Sequence, residues 1–90
     1  MNTVIIQIGN TDNKLSQHEW HKFVNAMDVI LLDSNIHFRG FSNPDSLYQN
    51  ACWVIEHDDS IDSLCEDITN CRKLYNQDSA AITIGTTRFV

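Results

Sequence analysis

Hydrophobic residues recur along the chain at two different spacings, and each spacing predicts a different kind of secondary structure. Short β-branched and apolar runs closed by turn-forming residues are typical of strands, whereas apolar residues three and four positions apart are typical of amphipathic helices. The runs predict four strands, at residues 4–8, 36–41, 51–56 and 80–84. The helical spacing predicts one helix from about Gln17 to residues 33–35 and a second helix over residues 61–75.

The first helix carries a clear start signal. Ser16 and Glu19 have the spacing of a capping box, in which each side chain bonds the backbone N–H of the other residue. Leu15 and Trp20 flank this box at the positions of a hydrophobic staple. The stripe expected to face the core comprises Trp20, Phe23, Val24, Met27 and Leu31.

The second helix follows a group of N-cap candidates, Asp58, Asp59 and Ser60. Arg72 and Lys73 fall in its last turn, where positive charge suits the helix dipole. Its predicted core stripe comprises Ile61, Leu64, Cys65, Ile68, Cys71, Leu74 and Tyr75.

The element order is therefore β-α-β-β-α-β. Two right-handed crossovers in this order give an antiparallel sheet with both helices on one face. The layout resembles the ferredoxin-like fold over nearly the whole chain, so we expect an α+β sandwich formed by a single domain, residues 1–90. Because this architecture hosts many unrelated functions, it implies no activity by itself.

Alternation along the strands predicts which side chains face the helices and which occupy the other side of the sheet, called the open face here. The helix-facing set comprises Val4, Ile6, Ile8, Ile36, Phe38, Trp53, Ile55, Ile82 and Ile84. The open-face set comprises Ile5, Gln7, His37, Arg39, Phe41, Cys52, Val54, Glu56, Ala81 and Thr83.

The open-face set is half apolar, so we expect something to cover it. One alternative is a second copy of the chain, packed sheet to sheet in a homodimer. Another is a ligand held by the polar side chains, which are Gln7, His37, Arg39 and Glu56. A third is that the apolar residues are simply scattered and exposed, which most proteins tolerate.

Composition narrows the classes of partner. Six basic and twelve acidic side chains give a net charge of -6, which is the wrong sign for neutralising phosphates, so we expect no direct nucleic-acid partner. Apolar runs such as Val29 to Leu32 are far shorter than a membrane span, and the start of the chain lacks a secretory signal. Three cysteines without C-x-x-C spacing favour reduced thiols. We therefore expect a cytoplasmic protein.

Acidic residues are concentrated in one segment, where six occur within twelve positions. These are Glu56, Asp58, Asp59, Asp62, Glu66 and Asp67. They serve either as helix caps and a solvated helix face, or as a negative patch that docks a basic protein surface. His18 and His21 have a spacing that suits two metal ligands, but solvated side chains are the commoner case, and no metal or cofactor is predicted.

Polar loops are predicted at both ends of the sheet, at residues 9–12, 42–50 and 75–79. Their amides and hydroxyls are typical turn formers, and they also recognise neutral polar groups, so a nucleoside-like or sugar-like ligand is an alternative. No recognised catalytic motif occurs in the chain. The sequence therefore leaves enzymatic activity open and favours a non-enzymatic role.

One further set of residues carries a resemblance. It comprises residues 6–12, Lys14, Leu15, Trp20, Gln49, Asn50, Trp53, Tyr75 and 77–79. With these residues, most of the chain is similar to small uncharacterised proteins of bacteria and their phages. No function is known for that group, so the resemblance implies an accessory or mobile-element protein and no catalytic residue.

Two hypotheses follow. The first is a small acidic interaction module, homodimeric through its open face. It engages a basic protein partner, in the manner of an inhibitor, through its polar loops or through the acidic patch, defined as Asp58, Asp59, Asp62, Glu66 and Asp67. The second is a nucleotide- or sugar-binding protein, or a small dimeric enzyme, with its pocket on the open face.

Overall fold

The computed structural model describes residues 2–43, 45 and 47–90. Strand β1 (Asn2–Gly9) leads through a short 3₁₀ turn (Thr11–Asn13) to helix α1 (Gln17–Ile30), and strands β2 (Asn35–Phe41) and β3 (Asn50–Glu56) follow. Helix α2 (Asp62–Leu74) and strand β4 (Ala81–Thr86) complete the fold.

The four strands form one sheet in the order β2-β3-β1-β4, and every neighbouring pair is antiparallel. The two helices pack together on one face of this sheet. The predicted element order and the ferredoxin-like topology are therefore confirmed. In the described part of the chain, neither helix has the length and apolar character needed to cross a membrane.

Helix α1 begins as its capping box predicts. Ser16 Oγ accepts a hydrogen bond from the Glu19 N–H at 3.2 Å, and Glu19 Oε1 accepts one from the Ser16 N–H at 3.1 Å. These bonds, first of all the one from the Ser16 backbone, favour the ionised carboxylate and lower the pKa of Glu19. The helix ends at Ile30, earlier than predicted, because the chain tightens into a turn where the Ser34 N–H bonds the Leu31 carbonyl at 2.9 Å before β2 starts.

Helix α2 ends in a Schellman motif. The Asn76 N–H bonds the Lys73 carbonyl at 3.1 Å and the Gln77 N–H bonds the Arg72 carbonyl at 2.9 Å. Asn76 adopts the left-handed conformation that this motif requires, with φ of 55°. Ile61 occupies the N-cap position of α2, and the predicted residue Ser60 lies one position earlier, where its Oγ accepts a hydrogen bond from the Asp62 N–H at 3.3 Å.

The core lies between the helices and the two central strands. All five predicted stripe residues of α1 are buried, together with the inward residues of β1 and β3 and with three residues of α2. The buried side chains that confirm the prediction are Val4, Ile6, Ile8, Trp20, Phe23, Val24, Met27, Leu31, Trp53, Ile55, Leu64, Ile68 and Cys71. Leu74 does not belong to the core, because it lies on the outer flank of α2 and is 79% exposed.

Strand β2 departs from the predicted alternation. Ile36 pairs with Ile55, but the next regular pair is Phe38 with Val54, so the strand contains one extra residue at His37. Such a β-bulge exchanges the faces of all later side chains. Phe38 therefore lies on the open face, while Arg39 and Phe41 lie on the helix side, which corrects the sequence-based assignment of these three residues.

Arg39 consequently packs against α1. Its Nε and Nη2 donate to Asp28 Oδ1 and Oδ2 at 2.8 and 2.7 Å, and its guanidinium lies 4.7 Å from the centre of the Phe41 ring. Asp28 Oδ1 also accepts a hydrogen bond from Trp53 Nε1 at 2.9 Å. Through these hydrogen bonds, Asp28 on α1 connects to both the edge strand β2 and the central strand β3.

Candidate functional site

A cleft of about 490 Å³ lies on the open face, at the end of the sheet where β1 finishes. Its floor is one row of paired residues that crosses all four strands, formed by Gly40, Cys52, Gln7 and Ala81. Because their neighbours along β1 and β3 are buried under the helices, alternation directs Gln7 and Cys52 away from the core. The volume falls within the usual range of small-molecule sites. We call this feature the open-face cleft.

Phe38 forms one wall of the open-face cleft. The far end of its ring lies over Gly40, so closely that a Cβ added at Gly40 would come within 2.6 Å of Phe38 Cζ. Only glycine admits this approach of a ring to the strand backbone. Phe38 nevertheless stays 57% exposed, because no element among the described residues covers the open face above it. The bulge at His37 thus supplies the cleft with an aromatic surface.

Hydroxyl and amide groups from three loops form the rim. Thr11, Ser42, Asn50 and Ser79 all line the cleft. Asn50 is held in place, since its Nδ2 donates to the Tyr48 carbonyl at 2.9 Å and its N–H donates to Ser42 Oγ at 3.0 Å. Among the described residues that line the cleft, none is an aspartate, glutamate, lysine, arginine or histidine. The lining therefore offers hydrogen bonds and apolar contact without a formal charge.

Asn10 links the loop after β1 to the loop before β3, beneath the rim. This fully buried side chain accepts from the Leu15 N–H at 2.8 Å and donates to the Leu15 carbonyl at 3.0 Å. It also donates to Gln49 Oε1 at 3.2 Å, and its own N–H bonds the Gln49 carbonyl at 2.8 Å. Gln49 in turn exchanges two side-chain hydrogen bonds with Gln17 on α1.

Gln77 fixes the third loop in a similar way. Its buried side chain donates to the Tyr75 carbonyl at 3.1 Å and accepts from the Thr11 N–H at 3.4 Å. An ion pair between Lys14 and Asp78, at 3.2 Å, joins the same two loops. The contacts Asn10–Gln49, Thr11–Gln77 and Lys14–Asp78 thus connect the loops at the cleft end of the sheet.

The structure does not bring the four predicted ligand residues into one site. Gln7 lies on the cleft floor, but His37 and Glu56 lie together near the other end of β3, with His37 Nε2 3.5 Å from Glu56 Oε2. Glu56 is four residues along β3 from Cys52, about 13 Å at the usual rise of an extended strand. Arg39 lies on the helix side and is excluded from the open face by the bulge.

Sequence reasoning missed most of the cleft. Alternation predicts the wrong face for Phe38. An isolated glycine inside a strand can signal a site of close backbone approach, but the pattern around Gly40 predicts only an ordinary strand. Alternation predicts the correct face for Cys52, but the sequence indicates no function for it. The rim residues lie in the segments predicted as polar loops, for which a nucleoside-like or sugar-like ligand is one of the alternatives that the sequence leaves open.

The acidic patch lies elsewhere, in the loop after β3 and in the first half of α2. All five of its side chains are exposed, and none belongs to the ion pairs found among the described residues. Its residues line no part of the open-face cleft. His18 and His21 are also exposed, and the described part of the chain contains no group of three or more candidate metal ligands.

The three thiols are free and occupy different environments. Cys52 is half-buried on the cleft floor, whereas Cys65 is half-buried on α2 and away from the cleft. Cys71 is buried between the helices and the sheet, and desolvation of its thiolate raises its pKa. Cys52 and Cys65 therefore form a natural pair for chemical labelling, one inside the cleft and one outside it.

Comparison of the chain with protein-family models, curated proteins and solved structures gives no match. The resemblance to small bacterial and phage proteins consequently stays a prediction, and the fold and the geometry of the cleft carry the functional argument.

Proposed function

We propose that the protein is a binding module that takes a small uncharged polar molecule into the open-face cleft. The observation that carries this proposal is the composition of the cleft, in which an aromatic wall, a thiol and several amides and hydroxyls surround a space without charged side chains. The side-chain amide of Gln7 at its centre is exposed and bonds no described residue, so its donor and acceptor are free for a ligand.

Electrostatics favours a neutral ligand over an anionic one. Phosphates and carboxylates are normally held by arginine, lysine or a helix N-terminus, and no such side chain is present in the described lining. The net charge of -6 adds a general repulsion of anions. The described lining also lacks a carboxylate or imidazole that could serve as a general acid or base, so we propose binding without turnover.

Filling the cleft should abolish ligand binding. Ala81 lies on the floor and is exposed, so Ala81→Leu places a larger side chain in the cleft without disturbing the core. In a thermal-shift screen of uncharged sugars, nucleosides and amides, we expect at least one compound to stabilise the parent chain. The stabilisation should be about 2.7 kcal/mol at one hundred times the dissociation constant. Ala81→Leu should remove this stabilisation.

The matched control is Thr83→Leu, which adds a leucine to the same face of the same strand. Thr83 pairs with Ile5 and does not line the cleft, so this variant should keep the ligand response. A stabilising compound that acts equally on Ala81→Leu and on the parent would contradict the proposal, as would a screen in which only anions bind.

A second function, the docking of a basic protein partner, is favoured by the exposure of the whole acidic patch and by its lack of ion pairs within the described residues. Reversing two of its charges with Asp58→Lys and Asp59→Lys should weaken capture of such a partner by ten-fold or more. The control reverses Asp33 and Asp45, which are exposed and lie outside the patch. Equal loss in both double variants, or no loss in either, would show that capture does not depend on the patch.

Self-association on the open face would compete with the ligand. The homodimer predicted from the sequence remains a prediction, and a second copy packed on this face would cover the cleft. Light scattering at micromolar concentration, with and without a compound from the screen, separates the two cases. The role as an accessory or inhibitory protein likewise remains a prediction.

A further inference from the structure

Phe38 offers an aromatic surface for stacking, and the side-chain amide of Gln7 lies in the same cleft. Together these two groups indicate which class of neutral molecule the cleft would bind. Building on the proposed function, we propose that the open-face cleft takes a nucleoside-like molecule, in which an uncharged planar heterocycle stacks on Phe38 and a hydroxylated group contacts the rim.

The far end of the Phe38 ring lies over Gly40, and Phe38 is 57% exposed. The ring is therefore accessible to a flat ligand that stacks on it. Stacking of a base on an aromatic side chain is favourable for every base, because each base has a π face. A sugar alone lacks this face and gains much less from the same wall.

Gln7 lies across the floor from this wall. Gly40 is on β2 and Gln7 on β1, with Cys52 of β3 between them, so two strand spacings of about 4.8 Å each separate their backbones. A heterocycle placed over Cys52 therefore reaches both the Phe38 ring and the Gln7 amide. An amide presents one acceptor and one set of donors, which complement the adjacent donor and acceptor on the edge of a nucleobase.

The rim fits a sugar but not a phosphate. Thr11, Ser42 and Ser79 carry hydroxyls that can donate and accept, which suits ribose-like hydroxyl groups. No cationic side chain lines the described part of the cleft, so a phosphate placed there would lose its hydration without gaining a counter-charge. A nucleoside should therefore bind more tightly than the corresponding nucleotide.

The test is a calorimetric titration of the full chain with the four common ribonucleosides, their 5′-monophosphates and ribose. At least one nucleoside should bind, its monophosphate should bind at least ten-fold more weakly, and ribose should show no measurable binding. Phe38→Leu should weaken nucleoside binding about 5- to 100-fold, which corresponds to the loss of one base stacking interaction. Phe89→Leu is the matched control, because it removes an exposed ring that does not line the cleft, and it should retain the affinity.

A chemical readout locates the ligand without relying on a variant that must fold. Bound nucleoside should slow alkylation of Cys52 by iodoacetamide at least five-fold, while Cys65, which lies outside the cleft, should react at an unchanged rate. Slowing at both thiols, or at neither, would overturn the assignment of the ligand to this cleft.

The outcomes separate this inference from the proposed function. If a non-planar neutral compound binds, is blocked by Ala81→Leu and is indifferent to Phe38→Leu, the cleft is a binding site but the nucleoside assignment is wrong. A monophosphate that binds as tightly as its nucleoside would also refute the assignment. If no neutral compound binds at all, both the inference and the proposed function fail.

Discussion

Replacing Phe23 by alanine is expected to lower the free energy of unfolding by about 3 to 5 kcal/mol, the usual cost of truncating a buried phenylalanine. Phe23 is wholly buried and lies at the centre of the aromatic part of the core. Its ring packs edge-on against Trp20, with centroids 6.1 Å apart, and stacks on Tyr75 at 5.0 Å. The substitution therefore opens a cavity that touches both helices.

This loss is large relative to the total free energy of unfolding expected for the chain. A chain of 90 residues is expected to have a total stability of about 5 to 13 kcal/mol, so Phe23→Ala removes a large share of it. Urea unfolding followed by circular dichroism measures the change. Val29→Ala is the matched control, because Val29 lies on the same helix and is 70% exposed, and it should change stability by less than about 0.5 kcal/mol. Similar losses in the two variants would contradict the placement of the core.

Replacing Asp28 by alanine is expected to cost about 2 kcal/mol, and most of this comes from the hydrogen bond to Trp53. The Trp53 side chain is completely buried, so loss of its acceptor leaves an unsatisfied N–H, which costs about 1 to 3 kcal/mol. The ion pair with Arg39 contributes less, because its side chains are 38% and 34% exposed and solvent screens them. Urea unfolding again provides the measurement.

Two further variants identify which bond matters. Asp28→Asn keeps one oxygen acceptor for Trp53 but removes the charge and replaces the oxygen that accepts from Arg39 Nη2 by an amide NH2. Because the Trp53 hydrogen bond is kept, this variant should cost less than about 1 kcal/mol. Arg39→Met removes the ion pair and leaves the Trp53 hydrogen bond intact, and it should also be mild. If Arg39→Met proves as costly as Asp28→Ala, the ion pair rather than the indole hydrogen bond is the main contact of this cluster.

The fold was accessible from the sequence because its signals are local. The capping box at Ser16 and Glu19 and the stripe of α1 each depend on residues within one or two helical turns, and the structure confirms them. The inward residues of the central strands followed from simple alternation, since β1 and β3 pair without interruption. When segments with strand spacing and segments with helix spacing are joined by short turns, few other topologies are compatible with the chain.

The site was much less accessible, because it depends on the register between strands. The extra residue at His37 is visible only once β2 is paired with β3. Because of it, Phe38 lies in the cleft and Arg39 lies on the helix side, opposite to the faces that alternation predicts. Likewise, the contact of Phe38 with Gly40 depends on a side-chain conformation that no spacing encodes. Gln7 lies on the predicted face because alternation along β1 is undisturbed, and its role in binding remains a prediction.

The buried amides of Asn10 and Gln77 have a consequence for the kinetics of recognition. The Asn10 amide bonds the backbone of Leu15 and the side chain of Gln49. The Gln77 amide bonds the backbone of Thr11 and Tyr75. These contacts between described loop residues are therefore already formed before any ligand arrives. Binding to a preformed rim costs little conformational entropy of the loops, and no slow rearrangement of the loops has to precede binding. Related ligands should then associate at similar rates, and their residence times, rather than their speed of arrival, should set the order of preference among them.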